Sequence, residues 1–198
     1  MSRAKRTEIR ITGFGGQGVV LAGHIIGHAC AVNGGMHATM IQSFGPEARG
    51  SACSTTLAVS ETEVLYPYIG RPDIFVVMSA EGYEKYRDEL KDDGVLVYEK
   101  DLVKVDLKKG QPAFGVSSTR IAEELGRAIV QNIVMLGFFA AVTKIVPTEA
   151  MRAAVEESVP EGTQELNLRA FDAGCAAYEE EYGEGVAARE KEEELVKS

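Results

Sequence analysis

Residues 9–23 read IRITGFGGQGVVLAG, and the predicted architecture starts from this stretch. Ile9 to Thr12 alternates before running into glycines, which predicts a short buried strand. The glycines between Gly13 and Gly18 predict a tight turn, because residues without a Cβ atom reach backbone conformations that others avoid. From Val19 to Val32 the apolar residues recur with a helical period. A strand, a glycine turn and a helix in this order are typical of the first unit of a Rossmann-like layer.

Further strand and helix signals follow along the chain. Strands are predicted at His37–Ser43, Ser51–Ser60, Asp73–Met78 and Val95–Tyr98, and Thr62–Leu65 either continues the second of these or pairs with it. Asp73–Met78 has the continuous apolar pattern of a parallel strand that is covered on both faces. Helices are predicted at Glu81–Lys91, Ile121–Arg127, Val130–Ile145, Thr148–Val159 and Gln164–Tyr182.

The order of these elements predicts an α/β protein, a Rossmann-like three-layer domain with a helical C-terminal third. One domain is expected over residues 1–183, followed by a charged tail over residues 184–198 that is either a solvated helix or a frayed end. Gly23 and Gly27 form a flat stripe along the first helix, where we expect a close approach to the sheet. The apolar stretch from Met135 to Ala141 is expected to exceed the needs of the core and to leave an apolar surface on the isolated chain.

Charge and composition exclude several classes of function. The chain has 198 residues, a net charge of -9 and no basic stripe, so we expect no nucleic-acid partner. Its longest apolar stretch, 129–145, is interrupted by polar residues and falls short of the roughly 20 residues that cross a membrane, so no membrane association is expected. The N-terminal residues carry basic side chains without the apolar run of a secretory signal.

Cysteine and histidine positions argue against a metal centre. Cys30, Cys53 and Cys175 are scattered and form no C-x-x-C motif, which predicts no iron–sulfur or zinc site and a reducing, cytoplasmic location. His24 and His28 are one helical turn apart, but no third ligand is in view.

The glycine turn has the context of a phosphate-binding loop. Free N–H groups at the start of the following helix carry partial positive charge, so a phosphate or pyrophosphate is the natural ligand. A dinucleotide such as NAD or FAD also needs an acid near the end of the second strand, and residues 36–43, MHATMIQS, contain none. A tight turn without any ligand remains the other interpretation.

A second motif, with several shorter ones, supplies a resemblance. Residues 42–51, QSFGPEARGS, resemble the Y-G-P-E-x-R-G-G loop of the gamma subunits of 2-oxoacid:ferredoxin oxidoreductases, and the glycine turn resembles that family's G-x-G-G-Q-G-V-x-x-A-G. Residues 131–137, QNIVMLG, and residues 167–174, NLRAFDAG, look like its N-M-V-x-L-G and N-x-x-A-F-x-x-G segments. The matches keep their order over about 160 residues, with Phe44, Ala48 and Ser51 as departures.

The resemblance implies a division of labour. In this family thiamine diphosphate and iron–sulfur clusters belong to the other subunits, and the gamma subunit helps to bind CoA as a substrate and holds no redox cofactor itself. The expected partners are alpha and beta subunits, with a delta subunit in some enzymes, and ferredoxin reached through them. The form of the GPEARG loop favours 2-oxoglutarate over pyruvate or branched-chain 2-oxoacids.

The resemblance also implies positions for CoA. Carried over, they are Gly15, Gly16, Gln17, Gly18, Val19 and Asn132. Arg49 is a candidate for a second phosphate, since a guanidinium group forms a two-pronged charge-assisted hydrogen bond, but a salt bridge to Glu47 or across a subunit interface is equally open. Asn132 has a helix cap or a core amide as its alternative. A free-standing nucleotide- or CoA-binding module, without redox partners, is the competing function.

Overall fold

The computed structural model describes residues 6–43 and 52–197, with side chains to residue 183. Its strands are β1 (Arg6–Phe14), β2 (His37–Ser43), β3 (Ala52–Ser60), β4 (Ile74–Val77), β5 (Val95–Glu99) and β6 (Ala113–Val116). Its α-helices are α1 (Val19–His28), α2 (Ala80–Tyr86), α3 (Ser118–Glu124), α4 (Gln131–Thr143), α5 (Thr148–Ser158) and α6 (Gln164–Lys197). A π-helical turn, Ala29–Asn33, extends α1, and short 3₁₀ turns cover Arg87–Glu89 and Ala128–Val130.

The strands form one sheet in the order β2-β3-β1-β4-β5-β6. Only β3 runs against the others, because it pairs antiparallel with both β1 and β2 while β1, β4, β5 and β6 pair in parallel. After β1 the chain continues to β2, on one side of β1 in the sheet, and after β4 it continues to β5, on the opposite side. The carboxyl ends of β1 and β4 therefore flank a topological switch point, where open α/β sheets bind their ligands.

Helices and an irregular segment cover the two faces of the sheet, so the expected three-layer arrangement is confirmed. Ile74 and Val76 face the large core with α1, α4, α5 and α6, whereas Phe75 and Val77 face a smaller cluster on the other side. Tyr83 of α2 and Val103 belong to that second cluster. Alternate residues of one strand thus pack in two separate cores, which explains the continuous apolar run of β4.

The glycine stripe on α1 lies against the sheet, as predicted. A methyl group on Gly23 would overlap Thr55, whereas one on Gly27 would meet Leu57 Cδ2 at an ordinary contact distance of 3.5 Å. The absence of a side chain is therefore required at Gly23 and tolerated at Gly27.

Two more glycines allow α4 and α6 to touch backbone to backbone. A methyl group on Gly137 would overlap the carbonyl oxygen of Phe171, and one on Gly174 would overlap the carbonyl oxygen of Val134. The Cys175 thiol, Sγ, donates to the carbonyl oxygen of Gly137 at 3.2 Å across the same crossing. Both glycines close family-like segments of the sequence, so their role in those segments is close packing.

Two tyrosines near the middle of α6 attach this helix to α4 and to the last strand of the sheet. Phe138 meets the rings of Tyr178 and Tyr182 edge-on, at centroid distances of 5.8 and 5.9 Å. The Tyr182 hydroxyl accepts from the Gly115 N–H at 3.1 Å and lies 3.3 Å from the Gly115 carbonyl oxygen. The helix continues through Lys197, so nearly all of the segment predicted as a charged tail is helical.

Two expectations from the sequence are wrong, and one strand was not predicted. Thr62–Leu65 forms no strand, and β6 was not predicted because Ala113–Val116 is short and contains Gly115. The stretch from Met135 to Ala141 is buried within this chain, because α6 covers it, so it leaves no apolar surface.

Exposed apolar side chains lie elsewhere, with three of them in one short segment. Leu65, Tyr66 and Tyr68 are 84%, 63% and 60% exposed. Arg6 holds this segment by donating to the carbonyl oxygens of Tyr66 and Tyr68 at 2.9 and 2.7 Å. We call residues 65–68 the aromatic strap. In the described part of the chain, none of the helices combines the length and apolarity needed to cross a bilayer.

Replacing Gly174 by alanine should destabilise the protein by at least about 2 kcal/mol, because the added methyl group meets backbone atoms that cannot move aside. Gly27→Ala is the matched control in another helix, where room exists and the higher helix propensity of alanine should add up to about 1 kcal/mol. Urea unfolding of both variants measures the difference. Equal midpoints would contradict the close crossing of α4 and α6.

The thiols of Cys30, which is buried, and of Cys175, which is half-buried, should resist alkylation in the folded chain. Burial raises the pKa of Cys30 to about 12 and that of Cys175 to about 11. Because the thiolate is the reactive form and both pKa values lie above pH 8, almost no thiolate forms there. Iodoacetamide labelling followed by mass spectrometry should modify both residues in urea and neither in buffer. Labelling at similar rates in both conditions would contradict the burial.

Candidate functional site

The glycine loop, residues 13–18, lies at the carboxyl end of β1 and at the switch point of the sheet. Gly16 and Gly18 adopt the left-handed backbone region, with φ of 100° and 74°. Gly18 is also the N-cap of α1, without a side chain to satisfy the helix terminus. The first N–H groups of α1 have no partner within the helix, so they are donors for an acceptor from outside it.

The side chain of Gln17 is used inside the protein. Its Oε1 atom accepts from the Phe14 N–H at 2.7 Å, and its Nε2 atom donates to the Met78 carbonyl oxygen at 3.1 Å. The amide therefore bridges the carboxyl ends of β1 and β4 and holds the loop in shape. The Gln17 N–H also donates to the Phe14 carbonyl oxygen at 3.1 Å, so both its backbone and its side chain hold the loop. The side-chain amide keeps one N–H donor beyond these bonds.

Asn132 is brought to the same place from the other end of the sequence. It is 4% exposed and its Nδ2 atom donates to the Gly18 carbonyl oxygen at 3.4 Å. A Cβ atom on Gly18 would lie 2.7 Å from Asn132 Cγ, so the close approach needs the glycine. Because Asn132 is the second residue of α4, the N-termini of α1 and α4 meet at Gly18.

The outer side of the loop is open. Phe14, Gly15 and Gly16 are exposed, and a Cβ atom on Gly16 would have no other atom within 4 Å. Val19 is 2% exposed, so its side chain belongs to the core and only its N–H group is available to a ligand. Two helix N-termini beside an exposed glycine loop favour a phosphate group, since each carries about half a positive charge.

Among the described residues at the end of β2, none is the acid that a dinucleotide site needs there. The strand β2 ends with Gln42 and Ser43, and the crevice between β1 and β4 is bridged by Gln17. The geometry therefore favours a phosphate bound on the outer side of the loop over a dinucleotide laid across the crevice.

Arg49 lies outside the described residues, as does the rest of the GPEARG segment. The residues on either side of that segment are described. Ser43 pairs with Ser54, and Phe14 at the end of β1 pairs with Ala52. The segment therefore starts and ends at the same edge of the sheet as the glycine loop, and the role of Arg49 stays a prediction.

A buried acid at the same edge of the sheet was missed by sequence reasoning. Glu99 ends β5 and is 1% exposed. Its carboxylate accepts from the Ser118 hydroxyl, from the Thr119 N–H at 3.0 Å and from the Asp101 N–H at 3.2 Å. The available signal was a glutamate directly after the apolar run of β5, which places it at the carboxyl edge.

Side chains of the described residues show no group of three that would suit a metal. His28 lies 2.7 Å from Glu157 through Nε2, and its ring centroid is 6.2 Å from that of His24. A cavity of about 550 Å³ lies at the opposite edge of the sheet, but it mixes acids such as Asp73 with bases such as Arg6. Asp73 already bonds the Lys91 ammonium at 2.6 Å and the Glu8 N–H at 2.8 Å, so this cavity is less suited to a polyanion.

Known proteins resemble this chain over most of its length. A family model described as pyruvate ferredoxin/flavodoxin oxidoreductase matches residues 8–177. The 2-oxoglutarate synthase subunit KorC of Methanocaldococcus jannaschii is 44% identical over 172 residues, which cover 85% of this chain and 92% of that protein.

Two solved structures share the fold. The gamma subunit of a keto/oxoacid ferredoxin oxidoreductase from Geobacter sulfurreducens superposes with a TM-score of 0.74 at 38% identity and covers 85% of this chain and 95% of its own. The 2-oxoglutarate:ferredoxin oxidoreductase of Magnetococcus marinus, solved with 2-oxoglutarate, coenzyme A and succinyl-CoA, has a TM-score of 0.79 at 24% identity. The match covers 88% of this chain but 31% of that longer chain. The chain therefore belongs to the pyruvate ferredoxin/flavodoxin oxidoreductase family, and within it to the gamma subunits of 2-oxoacid:ferredoxin oxidoreductases.

Proposed function

We propose that this chain is the gamma subunit of a cytoplasmic enzyme that converts 2-oxoglutarate and CoA to succinyl-CoA and CO2, and that its glycine loop binds the CoA. The two electrons released pass to ferredoxin. The chain's own part is to hold a phosphate of CoA and to join the complex, and it has no turnover alone.

The meeting of two helix N-termini at Gly18 carries the CoA assignment. CoA has a pyrophosphate and a 3′-phosphate, and backbone N–H groups at helix starts are suited to such groups. The Magnetococcus marinus enzyme shares the fold and holds CoA, but at 24% identity it supports only the fold, so the assignment rests on the loop. The choice of 2-oxoglutarate rests on the KorC relatives, at 42 to 44% identity.

The reactive groups belong to other subunits in this proposal. Thiamine diphosphate would supply the carbanion chemistry of decarboxylation, and iron–sulfur clusters would carry the electrons. This chain would bind CoA through Gly15, Gly16 and the N–H groups of Gly18 and Val19, with Asn132 fixing the loop. Arg49 would bind a second phosphate.

Assembly with alpha and beta subunits, and with a delta subunit where one exists, completes the proposal. The aromatic strap favours such contacts, because its apolar side chains are exposed and Arg6 already fixes its backbone, so less conformational freedom is lost on binding. The Magnetococcus marinus chain, about three times longer than its match to this one, indicates that this fold also occurs within a larger chain.

A free-standing nucleotide- or CoA-binding module is the alternative. It has no need of the GPEARG segment or of the aromatic strap. Co-purification from the native source separates the two, since only the oxidoreductase subunit brings thiamine- and cluster-containing chains with it.

Gly16→Ala in the assembled complex should raise the apparent KM for CoA about 10- to 150-fold. Such a change corresponds to one lost charge-assisted hydrogen bond of roughly 1.5–3 kcal/mol, because the methyl group stands where a phosphate approaches the backbone. Gly110→Ala is the matched control, since Gly110 also has a left-handed φ (81°) and open space around its Cβ position. Steady-state kinetics with varied CoA measures the effect.

The first half-reaction checks the same variant. Cluster reduction by 2-oxoglutarate without CoA should survive in Gly16→Ala, because CoA acts after decarboxylation. Loss of this reduction in an assembled complex would assign the loop to the thiamine site or to folding. If the KM for CoA of Gly16→Ala equals that of Gly110→Ala, the loop does not bind CoA and is a tight turn without a ligand.

The isolated chain, purified anaerobically, should be colourless. We expect no broad iron–sulfur absorbance and no flavin band, because the chain carries three scattered cysteines and no cluster motif. Absorbance from 300 to about 700 nm together with iron analysis measures this. A stoichiometric chromophore in the pure chain would overturn the assignment of a subunit without redox cofactor.

A further inference from the structure

Glu99 is a buried acid that the proposed CoA contacts do not use. No ion pair to Glu99 occurs among the described residues, and its carboxylate is instead held by hydroxyl and N–H donors. Ser118 and Thr119 start α3, so the carboxylate closes the N-terminus of that helix from a distant strand. Burial of an acid costs free energy even with such partners, and capping a seven-residue helix is a task that a side chain at position 117 could perform locally.

The hydrogen bonds of Glu99 continue toward the glycine loop. The Thr119 hydroxyl lies 3.4 Å from Glu99 Oε2 and donates to Gln131 Oε1 at 2.8 Å. Gln131 is the first residue of α4, and the next residue is Asn132, whose amide donates to the Gly18 carbonyl oxygen. The end of β5 is therefore linked to the glycine loop by the Thr119 N–H bond to Glu99, the Thr119 hydroxyl bond to Gln131, one step along the backbone of α4 and the Asn132 bond to Gly18.

This series is important because the first turn of α4 has no side-chain cap of its own. Val130 is the N-cap residue of α4 and cannot accept a hydrogen bond through its side chain. Backbone bonds of the preceding 3₁₀ turn reach this point, because the Gln131 N–H donates to the Ala128 carbonyl oxygen. Asn132 is the next residue, so its position also depends on side-chain contacts of this first turn. The contact of Gln131 with Thr119 is thus a side-chain restraint directly before Asn132, beside the backbone bond of Gln131 to Ala128.

We propose that Glu99 is a positioning residue for the CoA site, acting through Thr119 and Gln131 to hold the first turn of α4, and with it Asn132, against Gly18. This inference rests on the proposed binding of CoA at the glycine loop. It differs from a capping role for α3 alone, because capping needs only the Thr119 N–H, whereas positioning needs the Thr119 hydroxyl.

Thr119→Val separates the two roles. It removes the hydroxyl, keeps the N–H bond to Glu99 and preserves the shape of the side chain. The matched control is Thr143→Val at the other end of α4, where the hydroxyl donates to the Phe139 carbonyl oxygen at 2.9 Å. Each variant removes one hydroxyl hydrogen bond to an acceptor on α4, but only the bond from Thr119 lies near the loop.

In the assembled complex, Thr119→Val should raise the apparent KM for CoA about 2- to 12-fold, the equivalent of one hydrogen bond, with kcat at saturating CoA unchanged. Thr143→Val should leave the KM for CoA unchanged at a similar melting temperature. Gln131→Met should reproduce the effect of Thr119→Val, and the double variant should add little, because both remove the same contact. Glu99→Gln should raise the KM at least as much and also lower the melting temperature.

A second measurement does not depend on CoA. In the complex without CoA, hydrogen exchange at the amides of residues 134–136 should be faster in Thr119→Val than in the unchanged protein, while exchange in α3 stays the same. Unchanged exchange in α4 would overturn the positioning role, as would a KM shift equal in Thr119→Val and Thr143→Val. A KM raised by Gly16→Ala but not by Thr119→Val overturns this inference and leaves CoA binding intact. A KM unaffected by either variant overturns both.

Discussion

The backbone contact between α4 and α6 sets the position of the candidate site. At Gly137 and Gly174 the two helices are so close that no side chain fits between them, so α4 can neither slide nor rotate without a clash. Asn132 lies five residues before Gly137 on the same helix, roughly 7.5 Å along its axis. Because a helix is stiff over that distance, the crossing also fixes where Asn132 meets Gly18. The geometry of the loop is therefore set in part by two glycines that never touch it.

The two ends of the family-like segment QNIVMLG therefore have different roles. Its asparagine end lies at the glycine loop, and its glycine end lies at the helix crossing. The six residues from Asn132 to Gly137 thus connect the close contact of α4 with α6 to the contact of α4 with the glycine loop. Gln17 shows a similar combination, because its side chain joins two strands while its neighbours Gly16 and Gly18 give the loop its left-handed turns.

Much of the fold was predictable because its signals are local. Apolar periodicity predicts the strands β1 to β5, and it predicts α3 except for its first residues. Gly23 likewise predicts the close packing of α1 on the sheet. Other features depend on partners distant in sequence. The apolar stretch from Met135 to Ala141 looked too large for the core because nothing in its own residues shows that α6 will cover it. The internal use of the Gln17 amide and the network of Glu99 likewise depend on residues that meet only in the folded chain. The sequence resemblance predicts that Gly18 and Asn132 belong to one site, and the structure brings the two residues into contact.

The hydrogen bonds of Tyr182 have a consequence for how the chain meets other proteins. The strand β6 is the last in the sheet, so its unpaired backbone groups would accept an additional strand from another molecule. At Gly115, in the middle of this four-residue strand, both the N–H and the carbonyl oxygen already face the Tyr182 hydroxyl. A hydroxyl group supplies one donor and one acceptor to the edge strand, but it has no further backbone groups with which the next residues could pair. The hydrogen-bond ladder of the sheet therefore ends at Tyr182. Growth of the sheet by strand addition is thereby blocked at this end, and partners that approach it must bind through side chains.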